Sequence, residues 1–218
     1  MRRLALLTLT LPLIAAAAAC APSVLLLGVV TADAPDCELT TASPAQQLGL
    51  LDVGFEDNAP FAYQVGLLFS ATADDITFES VEVYFTTDAD RGDQLQLQNA
   101  GTPVNENTAR RLTVSGTSAN ELIQAEVISR EDAAALAAEP FVVESLVNAN
   151  SRVRINAHVR LIGATASALG SEEIASQELS LPVELCRGCL VPVCAADELL
   201  EPSGCILGQD DPAQCVAG

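Results

Sequence analysis

The chain has 218 residues, with 29 acidic side chains against ten basic ones, all arginine, for a net charge of −19. A field of that sign repels nucleic acid and anionic lipid; it favours basic partners and divalent cations without choosing among them. Half of the residues are hydrophobic, enough apolar material for one well-cored domain, with or without an appendage.

The N-terminus reads as an export signal. Arg2 and Arg3 precede an apolar run over residues 4–19, and Ala17, Ala18 and Ala19 stand directly before Cys20. Charged, apolar and small-residue regions in that order are what export and cleavage require. An ordinary cleaved signal and a retained membrane anchor are the competing readings, because apolar character resumes at residues 24–30 beyond Pro22 and Ser23. The first run is short for a bilayer span, which takes about 20 residues. The segment resembles the lipobox of bacterial lipoproteins, Leu-small-small-Cys, with Ala17 in the place of the leucine. That resemblance implies removal of residues 1–19 and a Cys20 carrying thioether-linked diacylglycerol and an N-acyl chain such as palmitate. Two or more acyl chains anchor stably where one binds only marginally. With Arg2 and Arg3 gone, 199 residues would remain, carrying eight arginines and 29 acids, a net charge of −21.

Cysteine parity points the same way. Seven cysteines are an awkward number in an oxidising compartment. If lipid takes Cys20, then Cys37, Cys186, Cys189, Cys194, Cys205 and Cys215 remain, an even set whose connectivity stays open.

Beyond the signal, the pattern is that of strands. Residues 24–31 and 48–55 are strand candidates. After a turn signal at residues 57–60, Phe61, Tyr63, Val65, Leu67 and Phe69 share one face. Residues 76–86 form a further strand whose apolar parity changes near Glu79 and Ser80, which predicts a bulge or a two-sided strand. Residues 110–115 and 122–128 are shorter candidates. One short helix is predicted, with Ser129 as cap, Glu131 and Asp132 in its first turn, residues 133–138 as its body and Pro140 as its stop. Residues 152–164 give the clearest alternation, with Val153, Ile155, Ala157, Val159 and Leu161 on one face. Leu179, Leu181 and Val183 make a last strand, where Pro182 argues for a sheet edge. The expected fold is all-β, an antiparallel β-sandwich of immunoglobulin-like architecture with one short helix.

From Cys186 onward periodicity is lost, and cross-links must supply the order that so small a segment cannot obtain by burial. The expected organisation is a signal over residues 1–19, a lipid-anchored β domain over 20–185 and a disulfide-stapled C-terminal appendage over 186–218. The early Cys37, the Cys-x-Gly-Cys-Leu run from Cys186 to Leu190 and the Gly-Gln-Asp of Gly208, Gln209 and Asp210 ahead of a last cysteine complete a pattern. In that order of features the chain resembles uncharacterised envelope lipoproteins of high-GC Gram-negative bacteria. The likeness implies a location at the cell envelope, the outer membrane foremost, and implies no activity.

Several constellations invite chemistry. Cys186 and Cys189, with Cys194 and Cys205, have the residue types for zinc but no second tight knuckle. A redox reading needs the Cys-x-x-Cys at a helix N-terminus, whereas this one follows a strand; structural disulfides are the expectation. Asp88, Asp90 and Asp93 resemble the start of a calcium loop. Gly92 and Asp93 then fall at the fifth and sixth positions and Asn99 at the twelfth, out of register with an EF-hand. A polar turn is the simpler reading there, and the Arg91-Gly92-Asp93 tripeptide matches an adhesion motif too short to weigh. Arg152, Arg154, Asn156, His158 and Arg160 share the outer face of one strand; pairing with acids on neighbouring strands is the expectation, and an anion-binding face the alternative. No metal or cofactor is expected. The sequence carries no nucleophile elbow, phosphate loop or dinucleotide fingerprint. The functional expectation is therefore a membrane-anchored, non-catalytic lipoprotein with a structural or protein-interaction role toward an envelope partner. A small-ligand or calcium-binding module is the alternative, and a hydrolase built around His158 a distant third.

Overall fold

The computed structural model describes residues 23–32, 36–54, 61–72, 76–87, 110–117, 122–148, 150–167, 170–202 and 204–218. Strands β1 (Val24–Val30), β2 (Gly49–Asp52), β3 (Tyr63–Ala71), β4 (Ile76–Thr87), β5 (Arg110–Thr117) and β6 (Leu122–Ile128) precede helices α1 (Arg130–Ala138) and α2 (Pro140–Ser145). Strands β7 (Val153–Ser167), β8 (Gly170–Ala175), β9 (Leu179–Cys186), β10 (Glu198–Glu201) and β11 (Gln214–Ala217) follow. The fold is all-β and sandwich-like, as expected.

One sheet has the order β1-β3-β6 and the other β2-β9-β7-β4-β5, with β8 also paired to β7. Their inner faces share one core. Tyr63, Val65, Leu67 and Phe69 are at most 2% exposed, and Ile155, Ala157, Val159 and Leu161 are fully buried. Side chains alternate in a strand, so these residues point the same way and can be buried together. Phe69 of β3 meets Phe78 of β4 edge-to-face, with centroids 4.7 Å apart, a favoured aromatic geometry that joins the two layers.

The predicted irregularity in β4 is a bulge. Its register shifts between Phe78 and Ser80 against both β5 and β7, so the inward residues change from Ile76 and Phe78 to Val81, Val83 and Phe85. Opposite the bulge stands Gly163, where an added Cβ would lie 2.7 Å from the Thr77 carbonyl oxygen.

Four features depart from the expectation. Strand β2 runs parallel to β9, so the sandwich is not wholly antiparallel. Pro140 does end α1, but it also occupies the first turn of α2, a position where its fixed φ suits a helix and its missing N–H costs nothing; two helices thus stand among the described residues where one was expected. Strand β8, unforeseen, pairs with the second half of β7 while β9 pairs with the first. Finally, β9 is internal from Val183 onward, where β2 covers it, and Pro182 sits just before that covered stretch.

The first sheet closes its β1 edge without another strand. The Gln177 side-chain amide accepts from the Leu26 N–H at 3.1 Å and donates to the Leu26 carbonyl at 2.7 Å. Farther along, the Gln46 N–H donates to the Val29 carbonyl and the Thr31 N–H to the Pro44 carbonyl.

At the crossover from β6 to β7, Ser129 Oγ accepts from the Asp132 N–H at 3.1 Å and Asp132 Oδ2 accepts from the Ser129 N–H at 3.1 Å. This reciprocal box is buried. Ser129→Ala should therefore lower the unfolding free energy by about 1–2 kcal/mol, measured by chemical denaturation.

Candidate functional site

The basic face of β7 is where sequence reasoning placed its one candidate base. Arg154 pairs with Glu184 at 2.9 Å and Arg160 with Glu82 at 3.8 Å, while Arg152 Nη1 donates to the Ser151 carbonyl. The stripe is thus matched to acids on β9 and β4, as the pairing reading expected. His158 is held on three sides. The Tyr84 ring stacks on it at 4.5 Å, Nδ1 meets Glu178 Oε1 at 2.8 Å, and Nε2 meets Thr86 Oγ1 at 2.9 Å. The Tyr84 hydroxyl donates to Glu178 Oε2 at 2.7 Å.

Burial, then the bond to Glu178 and its charge, pushes Tyr84 up to about 12. Burial raises Glu178, but hydrogen bonds from Tyr84 and His158, with the charges of His158 and Arg160, outweigh it and hold the carboxyl below its ordinary value. In the neutral tautomer with its proton on Nδ1 toward the carboxylate, Nε2 is left to accept from Thr86, the order of groups in an oriented general base; in the imidazolium both nitrogens donate. The Thr86 hydroxyl lies in the sheet, its residue only 9% exposed, so the same bonds serve to lock β4, β7 and the turn between β8 and β9.

The six downstream cysteines form three disulfides: Cys37–Cys205, Cys186–Cys189 and Cys194–Cys215, with Cα separations of 5.2, 5.9 and 5.4 Å. The first ties the segment after β1 to the tail across 168 residues; the third closes the antiparallel β10–β11 ladder. Cys20 and the acidic turn at residues 88–93 lie outside the described residues.

Two carboxylates to which the sequence reading gave no role seat the tail. Asp52, at the end of β2, is fully buried. Its Oδ1 accepts from Gly54 and Gly188 N–H at 2.9 and 2.8 Å, and its Oδ2 from Leu190 and Val191 N–H at 2.9 and 3.1 Å. Arg187 of the same loop donates to the Ala137 carbonyl in the last turn of α1 at 3.2 Å, where a cation is favoured. The signal that could have revealed Asp52 is a lone acid in the run Leu50-Leu51-Asp52-Val53.

Asp210 is the second. Its N–H donates to the Leu50 carbonyl, and its carboxylate accepts from the Leu50 N–H at 2.9 Å, the Tyr63 hydroxyl at 3.1 Å and the Gln46 amide at 3.1 Å. Gln209 completes the seat, accepting from the Gln64 N–H at 2.8 Å and donating to the Gln64 carbonyl at 2.6 Å. Gly208 has φ +78°, and an added Cβ would collide with the Phe61 ring. The Gly-Gln-Asp motif is thus a docking plug. Burial raises the Asp210 carboxyl above its ordinary value against the pull of the Leu50, Gln209 and Tyr63 hydrogen bonds. Burial, then the charge of Asp210, raises the Tyr63 hydroxyl, which stays protonated as the donor.

Asp52, Cys186 and Cys189 bring one oxygen and two sulfurs within 4.8 Å of one another, as do Cys194, Glu198 and Cys215. The sulfurs in both groups are disulfide-bonded, whereas a metal takes thiolates. A carboxylate has about four lone-pair sites, and in Asp52 four backbone N–H groups fill them. These clusters are built as staples. No helix among the described residues is long and apolar enough to cross a membrane. The chain matches no family model, no curated protein and no solved structure.

Asp52→Asn replaces an acceptor oxygen by an amide facing N–H donors. It should cost about 2–4 kcal/mol of unfolding free energy in denaturant titration. For Asp210, a raised native value means that the folded protein binds its proton more tightly than the unfolded chain does. Stability from this group is full below its ordinary value of 3.8 and is lost as pH rises through the raised value. The unfolding free energy of the native protein should fall relative to Asp210→Asn as pH rises above 3.8, measured by denaturant titration across that range.

Proposed function

We propose that the chain is an envelope lipoprotein, held to a membrane by acyl groups on Cys20, with a non-catalytic role: it presents its cross-linked tail to a protein partner. One observation carries this reading, namely that the two ends of β1 lead to different surfaces. Ser23, three residues past Cys20, is fixed at one end, its N–H donating to Thr72 Oγ1 at 2.8 Å and its carbonyl accepting from the Thr72 N–H at 3.0 Å. At the other end, Thr31 and Ala32 share a shallow cleft with Cys205, Ile206 and Gln209 of the tail. Seven strand residues, roughly 23 Å, separate the anchor end from the tail end.

The tail suits the role of a presented face. Residues 190–218 hold five acids, Asp197, Glu198, Glu201, Asp210 and Asp211, and no arginine. Strand β10 is exposed along its whole length. A partner with a basic surface is the complement such a face would steer and orient. The disulfides fit an oxidising envelope compartment.

The test is metabolic labelling with palmitate followed by membrane fractionation. The native chain should take up label and sediment with membranes, and Cys20→Ser should lose both. Unchanged membrane partitioning of Cys20→Ser overturns the reading.

A further inference from the structure

The outer face of the first sheet is divided along its length. Strand register sets Leu25 opposite Ser70, Gly28 opposite Leu68, and Leu68 opposite Leu122. All of these lie on the side away from the core, because Leu26, Leu67, Phe69 and Ile123 point inward. Leu27 is the extra residue at the β1 register shift, 59% exposed, and Leu25 is 52% exposed. Leu25, Leu27, Leu68 and Leu122 thus gather at the end of the sheet where Ser23 enters. At the opposite end the same face carries Gln64, Gln124 and Glu126, with Gln124 donating to Gln64 at 3.3 Å.

Two further facts point to the occupant of the apolar end. Residues 20–32 contain no charged side chain, in a chain of net charge −19, so this strand can meet a bilayer without the repulsion that the acidic surface would meet. Cys20 lies five residues before Leu25, a reach of at most about 18 Å, whereas a headgroup layer is about 5–7 Å thick. Backbone pairing is a poor alternative, because Gln177 and residues 44–46 already occupy β1 edge groups at Leu26, Val29 and Thr31.

We infer that the leucine end of this face rests in the bilayer interface, so that acyl chains and side chains together fix the domain's orientation on the membrane, with the tail facing away. The inference rests on acylation of Cys20 as proposed above. Its partner is a lipid surface, met by apolar contact and not through a headgroup charge.

The chain contains no tryptophan, which gives the test a clean probe. The full acylated chain, carrying Leu27→Trp or, in a second variant, Leu25→Trp, is reconstituted on phosphatidylcholine vesicles with and without brominated acyl chains. Both should show blue-shifted emission that the bromolipid quenches about twofold or more. Leu199→Trp on β10, where the native leucine is 63% exposed, should emit as in water and stay unquenched. Vesicle-bound, label-positive protein in which Leu25→Trp and Leu27→Trp emit like Leu199→Trp overturns the inference and leaves the anchor standing. Blue-shifted emission indifferent to bromination, with cross-linked dimers, overturns it in favour of a second copy on this face. Protein that does not float with the vesicles removes the anchor, and the inference with it.

Discussion

Asp52 is buried at the end of a strand whose preceding residues are leucines, and an ionised carboxylate is tolerated there only if its lone pairs are filled. Four backbone N–H groups fill them: one from the turn after β2, one from Gly188 inside the Cys186–Cys189 loop, and two from Leu190 and Val191 just past it. The loop has few other means of holding its shape, since it must bend directly out of β9 and leaves several N–H donors pointing inward. The donors need the carboxylate as much as it needs them. Around this exchange β2 aligns beside β9, the Val53 N–H donates to the Cys186 carbonyl, and the Asp52 N–H donates to the Gly208 carbonyl. The tail is thereby given a fixed wall to lie against.

What lies against that wall is short of apolar material. Cys186, Leu190 and Val191 form a small cluster of their own, with Leu50, Phe61, Cys189 and Leu207 packed around it. Covalent closure does the remainder, and unequally. In the chain-entropy view, a bond across 168 residues removes about 5 kcal/mol worth of unfolded-state freedom, and one across 3 residues only about 2. Cys37–Cys205 is therefore the main covalent stabiliser of tail docking. The Cys186–Cys189 loop already has its geometry from Asp52, so its disulfide adds less.

The strand pattern was legible because burial on one face imposes period two. Residues 122–128 coincide with β6, and the parity change at Glu79 and Ser80 marks the β4 bulge. The Ser129 cap and the acids after it were legible because capping is local chemistry. Long-range pairings were not. Nothing within the sequence of β2 says that its neighbour is β9, about 130 residues on, or that the pairing is parallel. The cysteine positions allowed many connectivities, and only the fold selects Cys37 with Cys205. Of the site, His158 and the arginines were found by alternation, and their acid partners were anticipated as a class. Glu178 was missed because it sits in a turn where no periodicity operates. Asp52 was passed over as a lone acid whose partners are backbone groups, three of the four far away in sequence, and Asp210 was noticed only as part of the Gly-Gln-Asp motif, because its partners at Gln46, Leu50 and Tyr63 are likewise remote.

The placement of charge bears on why the tail is kept. Acidic groups held close together raise the free energy of the compact state, and residues 190–218 contribute five acids with no compensating arginine. Among its described residues the same segment buries only Leu190, Val191, Gly208, Gln209 and Ala213, too little surface to offset either that repulsion or the loss of chain freedom. Two disulfides, the Asp210 seat and a glycine pressed against Phe61 are all spent on holding it. A two-stranded ladder is marginal by itself, yet β10 and β11 hold an ordered, exposed, acidic surface. Among the described residues the main core cluster draws none from beyond Leu185, so the appendage is tied to the sandwich through the polar seats at Asp52 and Tyr63 and not through burial in that core. A segment that contributes so little to packing, and takes so much bonding to order, fits the presented face proposed for it.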